Sequence, residues 1–240
     1  MRIQKATWVT TIFSALALTL AAPMAKATLV IEYSTNGTTW TTISNSGDSY
    51  FNFGPATYGG ITFTGFAAGD NVPGGIPSET SSSGFVSIVN STAATKKLYL
   101  SIVGQGFLSP TAPPELLTDS SLNGHVTVGN VANAITLLSC VDHGSVTTAC
   151  QSSTYTAPAI TPPITTTNSN YSGSSTTPIN SLAAPYSIEQ LLTITLGPGG
   201  NITQNALTQL TPVPEPGSIL LLGTALFFGS RAFMRKRRRT

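Results

Sequence analysis

The feature that most constrains this chain is an alternation of period two that recurs between residues 28 and 212. In an extended strand successive side chains point to opposite faces, so residues i and i+2 lie together. "TLVIEY" therefore groups Leu29, Ile31 and Tyr33 on one face. "ITFTGF" sets Ile61 and Phe63 against Thr62 and Thr64, and "KKLYLSIVG" sets Leu98, Leu100 and Ile102 against Tyr99 and Ser101. "TTWTTI", "GFVSIVN", "HVTVGN", "AITLLS" and "LLTITLG" supply further strands. Threonine suits the wet side of such strands, because β-branched side chains fit the pleat. No amphipathic helix of ten or more residues can be read in the same span. About eight to ten short strands with Gly, Pro and Asn turns predict an all-β ectodomain, an antiparallel β-sandwich or jelly-roll. Asn36-Gly37 predicts a type I′ hairpin between the first two strands, and "GPGG" (Gly197 to Gly200) predicts another hairpin turn.

Charge is scarce and unevenly placed. Only 8% of residues are charged, against about 25% in an ordinary soluble domain. Between Thr28 and Pro212 the cations are Lys96 and Lys97, whereas the acids are Glu32, Asp48, Asp70, Glu79, Glu115, Asp119, Asp142 and Glu189. Two against eight leaves this body at −6, with nothing to neutralise phosphates, so nucleic acid is not an expected partner.

The basic residues sit at the two ends. Arg2 and Lys5 precede an apolar run through Ala22, and Ala25-Lys26-Ala27 follows. That order is an n-region, an h-region and an A-x-A site, so residues 1–27 are read as a signal peptide cleaved before Thr28. At the other end, Gly217 to Met234 is an 18-residue apolar stretch. As a helix it would measure about 27 Å, marginally enough for a hydrocarbon core of about 30 Å. Arg231 near its end can snorkel to the headgroups. Arg235, Lys236, Arg237, Arg238 and Arg239 would stop translocation and stay cytoplasmic. One C-terminal transmembrane helix, with the body outside and the tail inside, is the expected topology.

Pro214 and Pro216 forbid regular helix or central strand just before that stretch and leave an extended backbone. "VPEPGS", the short apolar segment and the terminal Arg cluster, in that order, resemble the PEP-CTERM sorting signal of Gram-negative bacteria. Val213, Pro214, Glu215 and Pro216 carry the motif, within a sorting signal spanning 213–240. The resemblance implies an exosortase, a membrane-embedded cysteine protease, as processing partner. It also implies transient anchoring in the inner membrane, then release to the cell surface or extracellular matrix. Proteins with this signal are typically made by bacteria that build exopolysaccharide and biofilm.

Within the exported domain 28–212, the Ser/Thr/Pro-rich segment 151–181 is expected to be flexible and without regular structure. Cys140 and Cys150 are an even pair in an exported body and are expected to form a disulfide. Closing so short a loop is worth a little under ~3 kcal/mol by chain entropy. With His143 they would be an incomplete zinc set, so no metal and no cofactor are expected.

Catalytic residues are not expected either. His125 reads as a strand-end residue, and Asp142 adjoins His143 in sequence instead of orienting it from across a fold. There is no G-x-S-x-G elbow. Asp48, and Asp70 with Asn71, offer too few carboxylates for Ca²⁺ and read as turns. The N-x-S/T triplets at Asn36, Asn90, Asn170 and Asn201 are expected by chance in so polar a sequence. Trp40, Tyr50, Phe51, Phe53 and Tyr58 form an aromatic cluster that reads either as core, with Phe51 and Phe53 inward, or as a sugar-stacking surface. The leading functional expectation is a non-enzymatic surface or matrix protein. A carbohydrate-binding module engaging extracellular polysaccharide is the alternative, and a secreted hydrolase ranks below both.

Overall fold

A computed structural model describes residues 28–71, 79–112, 114–144, 150, 154–213 and 224. The expected signal peptide with Ala25 and Ala27, the motif residues Pro214, Glu215 and Pro216, the apolar stretch apart from Thr224, and the basic cluster lie outside them. Among the described residues no helix is long and apolar enough to cross a membrane.

Among the described residues twelve strands run in order: β1 (Thr28–Ser34), β2 (Thr41–Ser46), β3 (Tyr50–Tyr58), β4 (Ile61–Asn71), β5 (Glu79–Val89), β6 (Lys96–Phe107), β7 (Leu116–Val128), β8 (Ala134–His143), β9 (Tyr155–Thr156), β10 (Ser169–Ile179), β11 (Tyr186–Leu196) and β12 (Asn201–Pro212). They form two six-stranded sheets: sheet A, β2-β1-β6-β11-β8-β9, and sheet B, β10-β7-β12-β5-β4-β3. Every paired ladder is antiparallel. Strands β6-β11-β8-β9 and β5-β12-β7-β10 have the strand order of a jelly-roll, and β1 to β4 widen both sheets.

The alternation expected from sequence holds where apolar residues face inward. Leu29, Ile31, Ile61, Phe63, Leu98, Leu100 and Ile102 are all buried in one apolar cluster. A second cluster, including Phe107, Leu116, Val141, Ile179, Tyr186, Ile188 and Leu210, fills the other end. Between them lies a polar layer. Ser83 Oγ donates to Gln190 Oε1 at 3.1 Å, Gln190 Nε2 donates to Thr208 Oγ1 at 3.2 Å, and Ser139 Oγ and Thr208 Oγ1 share a bond of 2.8 Å. Ser83 and Thr208 belong to sheet B and Gln190 and Ser139 to sheet A, so these bonds cross the interior.

Four local expectations need correction. The turn at Gly197 to Gly200 links β11 of sheet A to β12 of sheet B and closes no hairpin. β1 and β2 do pair, but through residues 35–40 and not a two-residue turn. Asn36 Oδ1 accepts from the Thr38 and Thr39 amides at 2.9 Å each, and Gly37 takes the positive φ of 78°. The segment 151–181 contains a full strand, β10, in register with β7 from Ser169↔Val126 to Ile179↔Leu116. Upstream of it, Ala157, Ile160 and Ile164 are buried, and Ile160 exchanges both backbone hydrogen bonds with Leu137. Spaced apolar residues in an otherwise polar stretch are enough to seal the gap between β8 and β10. Asp70 and Asn71 belong to strand β4 and not to a turn.

Candidate functional site

The outer face of sheet B carries an open groove of about 470 Å³ lined by Phe66, Gly84, Phe85, Asn123, Gly124, Thr203, Gln204 and Asn205. Its centre is a row running across the strands. Phe66 on β4 pairs with Gly84 on β5, Gly84 with Asn205 on β12, and Asn205 with Asn123 on β7. Phe66 shares its face with Thr62 and Thr64, opposite the buried Ile61 and Phe63.

Gly84 determines how Phe66 sits. A Cβ at Gly84 would lie 2.6 Å from Phe66 Cε1, so the ring rests against the glycine backbone. This covers Gly84, which is buried despite its outward position, while Phe66 keeps 36% of its surface exposed. Tyr50 on edge strand β3 stands beside it, 53% exposed, with ring centroids 5.9 Å apart and planes 19° from parallel. The two rings form an aromatic platform. Farther along the row, Asn205 and Asn123 are exposed and neither carboxamide is engaged among the described residues. Each therefore offers an acceptor and two donor hydrogens.

The groove lining carries no charge. The strands of sheet B hold no Lys or Arg; Lys96 and Lys97 lie on β6 in sheet A, where the Lys97 ammonium sits 4.8 Å from the Tyr99 ring centroid. Behind the groove, Tyr171 donates its hydroxyl to Thr203 O at 2.6 Å, and burial pushes its pKa well above the ordinary 10.0.

The aromatic cluster read from sequence divides between core and surface. Phe53 is buried, and Phe51 packs edge-on against it with centroids 4.9 Å apart. Tyr58 is half-buried against Tyr33, at 4.9 Å, and its pKa is raised by burial and secondarily by the Tyr33 phenol. Trp40 is half-buried, with Nε1 shielded from solvent. Of the five, Tyr50 alone stands beside the groove row, opposite Ala68 and diagonal to Phe66; sequence reasoning missed Phe66, Asn123 and Asn205 as site residues. Alternation already placed Phe66 on the threonine side of "ITFTGF"; nothing in the sequence marked the two asparagines.

Cys140 and Cys150 form a disulfide with Cα atoms 5.4 Å apart. It lies beside Glu189, a carboxylate only 2% exposed, whose Oε1 accepts from Ser101 Oγ at 2.6 Å and Oε2 from the Cys150 amide at 2.7 Å. His143 is exposed near Tyr155, and Asp142 Oδ1 accepts from its backbone amide and from Thr154 Oγ1. His125 lies on β7, half-buried, on sheet B. The two imidazoles are thus on different sheets and are not brought together. Among the described residues no three His, Cys, Asp or Glu side chains gather in a metal-sized group. Asn90 is buried, its Nδ2 donating to Ala94 O, Leu196 O and Gly197 O, so it is closed to glycosylation.

Residues 212–239 match the PEP-CTERM protein-sorting motif, and Val213 to Pro216 fall inside that match. The chain therefore carries a PEP-CTERM sorting signal. No curated protein matches the chain. Among solved structures, it is similar to TmCBM61 in complex with β-1,4-galactotriose, at 12% identity over 60% of this chain and 75% of that one, with a TM-score of 0.27. TmCBM27, a carbohydrate-binding module described for mannan recognition, shares 9% identity over 69% of this chain and 90% of its own, with a TM-score of 0.30. The adhesin domain of Epf from Streptococcus pyogenes shares 9% over 80% and 64%, also at 0.30. Scores this low carry no argument about what the groove binds.

Proposed function

We propose that this is an exported, non-enzymatic protein that an exosortase processes at its C-terminal signal, and that its jelly-roll then binds polysaccharide at the cell surface or in a biofilm matrix. The observation that carries the binding half is the row across sheet B, with Phe66 laid on Gly84, Tyr50 beside it, and the exposed Asn205 and Asn123 amides beyond. A pyranose has a face of C–H bonds that suits an aromatic ring and a rim of hydroxyls that suits carboxamides. An open groove with convergent polar groups is a site for holding a ligand.

The sorting half rests on the motif at residues 212–239. Intact mass and fractionation of the protein made in its native cells test it. Loss of both Met1 to Ala27 and the Arg-rich tail, with recovery outside the inner membrane, is the expected result. Substituting Glu215→Ala with Pro216→Ala should leave unprocessed protein in the inner membrane. Normal processing of that variant would refute recognition of the motif.

A further inference from the structure

Resting on the glycan-binding reading, we propose that the groove on sheet B takes an uncharged polysaccharide, lying across the strands with its stacked unit over Phe66 and its hydrogen-bonded units over Asn205 and Asn123.

The absence of charge in the ligand follows from the sheet. Its strands carry no Lys or Arg, whereas the exposed Asp119 lies on β7. A polymer of uronates, sulfates or phosphates would find no Lys or Arg counter-ion there and would meet the Asp119 carboxylate, of its own sign. At physiological ionic strength charges act over about 8 Å, so the two lysines on the opposite sheet offer little compensation across the sandwich. Asparagine amides bind hydroxyls without needing charge on either partner.

The direction follows from the register. Phe66, Gly84, Asn205 and Asn123 are cross-strand neighbours, on β4, β5, β12 and β7. Adjacent strands lie about 4.8 Å apart, so the row from β4 to β7 extends over about 14 Å, and Tyr50 on β3 stands diagonally beside its Phe66 end. A polymer running along one strand would meet the ring or the amides but not both. A polymer crossing the strands meets them in sequence, with the ring end at β3–β4 and the amide end at β12–β7.

Affinity electrophoresis of the full-length chain in detergent tests this, with hydroxyethylcellulose, galactomannan and dextran as neutral probes and alginate and polygalacturonate as anionic ones. Retardation by at least one neutral polymer, unchanged between low and high salt, and none by the anionic pair, is expected. Phe66→Ala should weaken it about tenfold, the loss of one good stacking contact. With oligosaccharides of increasing length, Asn123→Ala with Asn205→Ala should weaken the long ones and spare the shortest. Both asparagines are exposed, so this pair does not depend on the core, and thermal unfolding of each variant checks that the fold is kept. Salt-sensitive binding of alginate or polygalacturonate would overturn the uncharged ligand while leaving a glycan site. An Asn pair with no length-dependent effect would overturn the crossing direction. Retardation by none of the five polymers, or retardation indifferent to Phe66→Ala, would overturn the glycan-binding reading itself.

Discussion

Gln190 on β11 and Thr208 on β12 face each other from opposite sheets, and Gln190 Nε2 donates to Thr208 Oγ1 at 3.2 Å in the middle of the sandwich. Consecutive strands are thereby joined through the interior by a side-chain bond as well as by the turn at residues 197–200. The apolar clusters end on either side of this polar layer.

Gln190→Ala should be strongly destabilising. It removes the acceptor of Ser83 Oγ and the donor to Thr208 and leaves a hole in a fully buried layer. A loss of about 3 kcal/mol is expected from the cavity and the stranded Ser83 hydroxyl together. Gln190→Leu fills most of the volume, and Ser139 still bonds Thr208, so it should cost about 1 kcal/mol. Urea unfolding midpoints of the two variants check the order.

The same layer explains which strands could be read from the sequence. Where the inward residues are Leu, Ile and Phe, as in β1, β4 and β6, the period-two contrast is plain. The inward positions of β7 include Thr118 and Ser120, both buried, and Ser175 on β10 lies opposite Ser120. A strand with hydroxyls on both faces shows no contrast, so the first half of β7 and all of β10 read as loop. The disulfide was legible because two exported cysteines leave one pairing. The groove was legible only in part. Tyr50 and Phe66 are aromatic and alternation sets their faces, but an asparagine on a strand looks like any other polar residue until register brings Asn205 beside Asn123.

Gly84 and Gly124 should respond oppositely to the same change. A Cβ at Gly84 meets the Phe66 ring, an exposed side chain that can swing away. Gly84→Ala should alter stability by no more than about 1 kcal/mol, since alanine also costs less chain entropy than glycine in a strand. It should nevertheless tip the platform and abolish polysaccharide retention. A Cβ at Gly124 lies 2.1 Å from the Thr203 carbonyl oxygen and 2.4 Å from the Tyr171 hydroxyl. Backbone cannot swing away, so Gly124→Ala should cost about 3 kcal/mol or more. Thermal melts paired with affinity electrophoresis separate the two.

Reducing the disulfide should cost more than its loop entropy. Closing the loop between Cys140 and Cys150 accounts for a little under ~3 kcal/mol. The tether also holds the Cys150 amide on the buried Glu189 carboxylate. In a cycle combining Glu189→Gln with Cys140→Ala and Cys150→Ala, the Glu189 change should be less damaging once the tether is gone. A coupling of about 1 kcal/mol or more is expected. Additive denaturation energies would show that the amide contact contributes nothing.

Tyr171 should set part of the alkaline limit of stability. Its phenol is raised by burial, and donating to Thr203 O also favours the protonated form. In the unfolded chain a tyrosine ionises near pH 10. Above that pH the unfolded state gives up the proton while the folded state retains it, so the folded state binds more protons and stability falls as pH rises. The contribution is complete below about pH 10 and is lost progressively above it, at up to about 1.4 kcal/mol per pH unit. Tyr171→Phe should lower stability by about 1 kcal/mol at neutral pH, through the missing hydrogen bond. It should also flatten the alkaline limb, so that the two proteins converge as pH rises. Tyr58, raised in the same direction, acts in both proteins and cancels in the comparison. Unfolding free energies measured from about pH 8 to about pH 11 decide it, and parallel curves would mean that the Tyr171 proton plays no part.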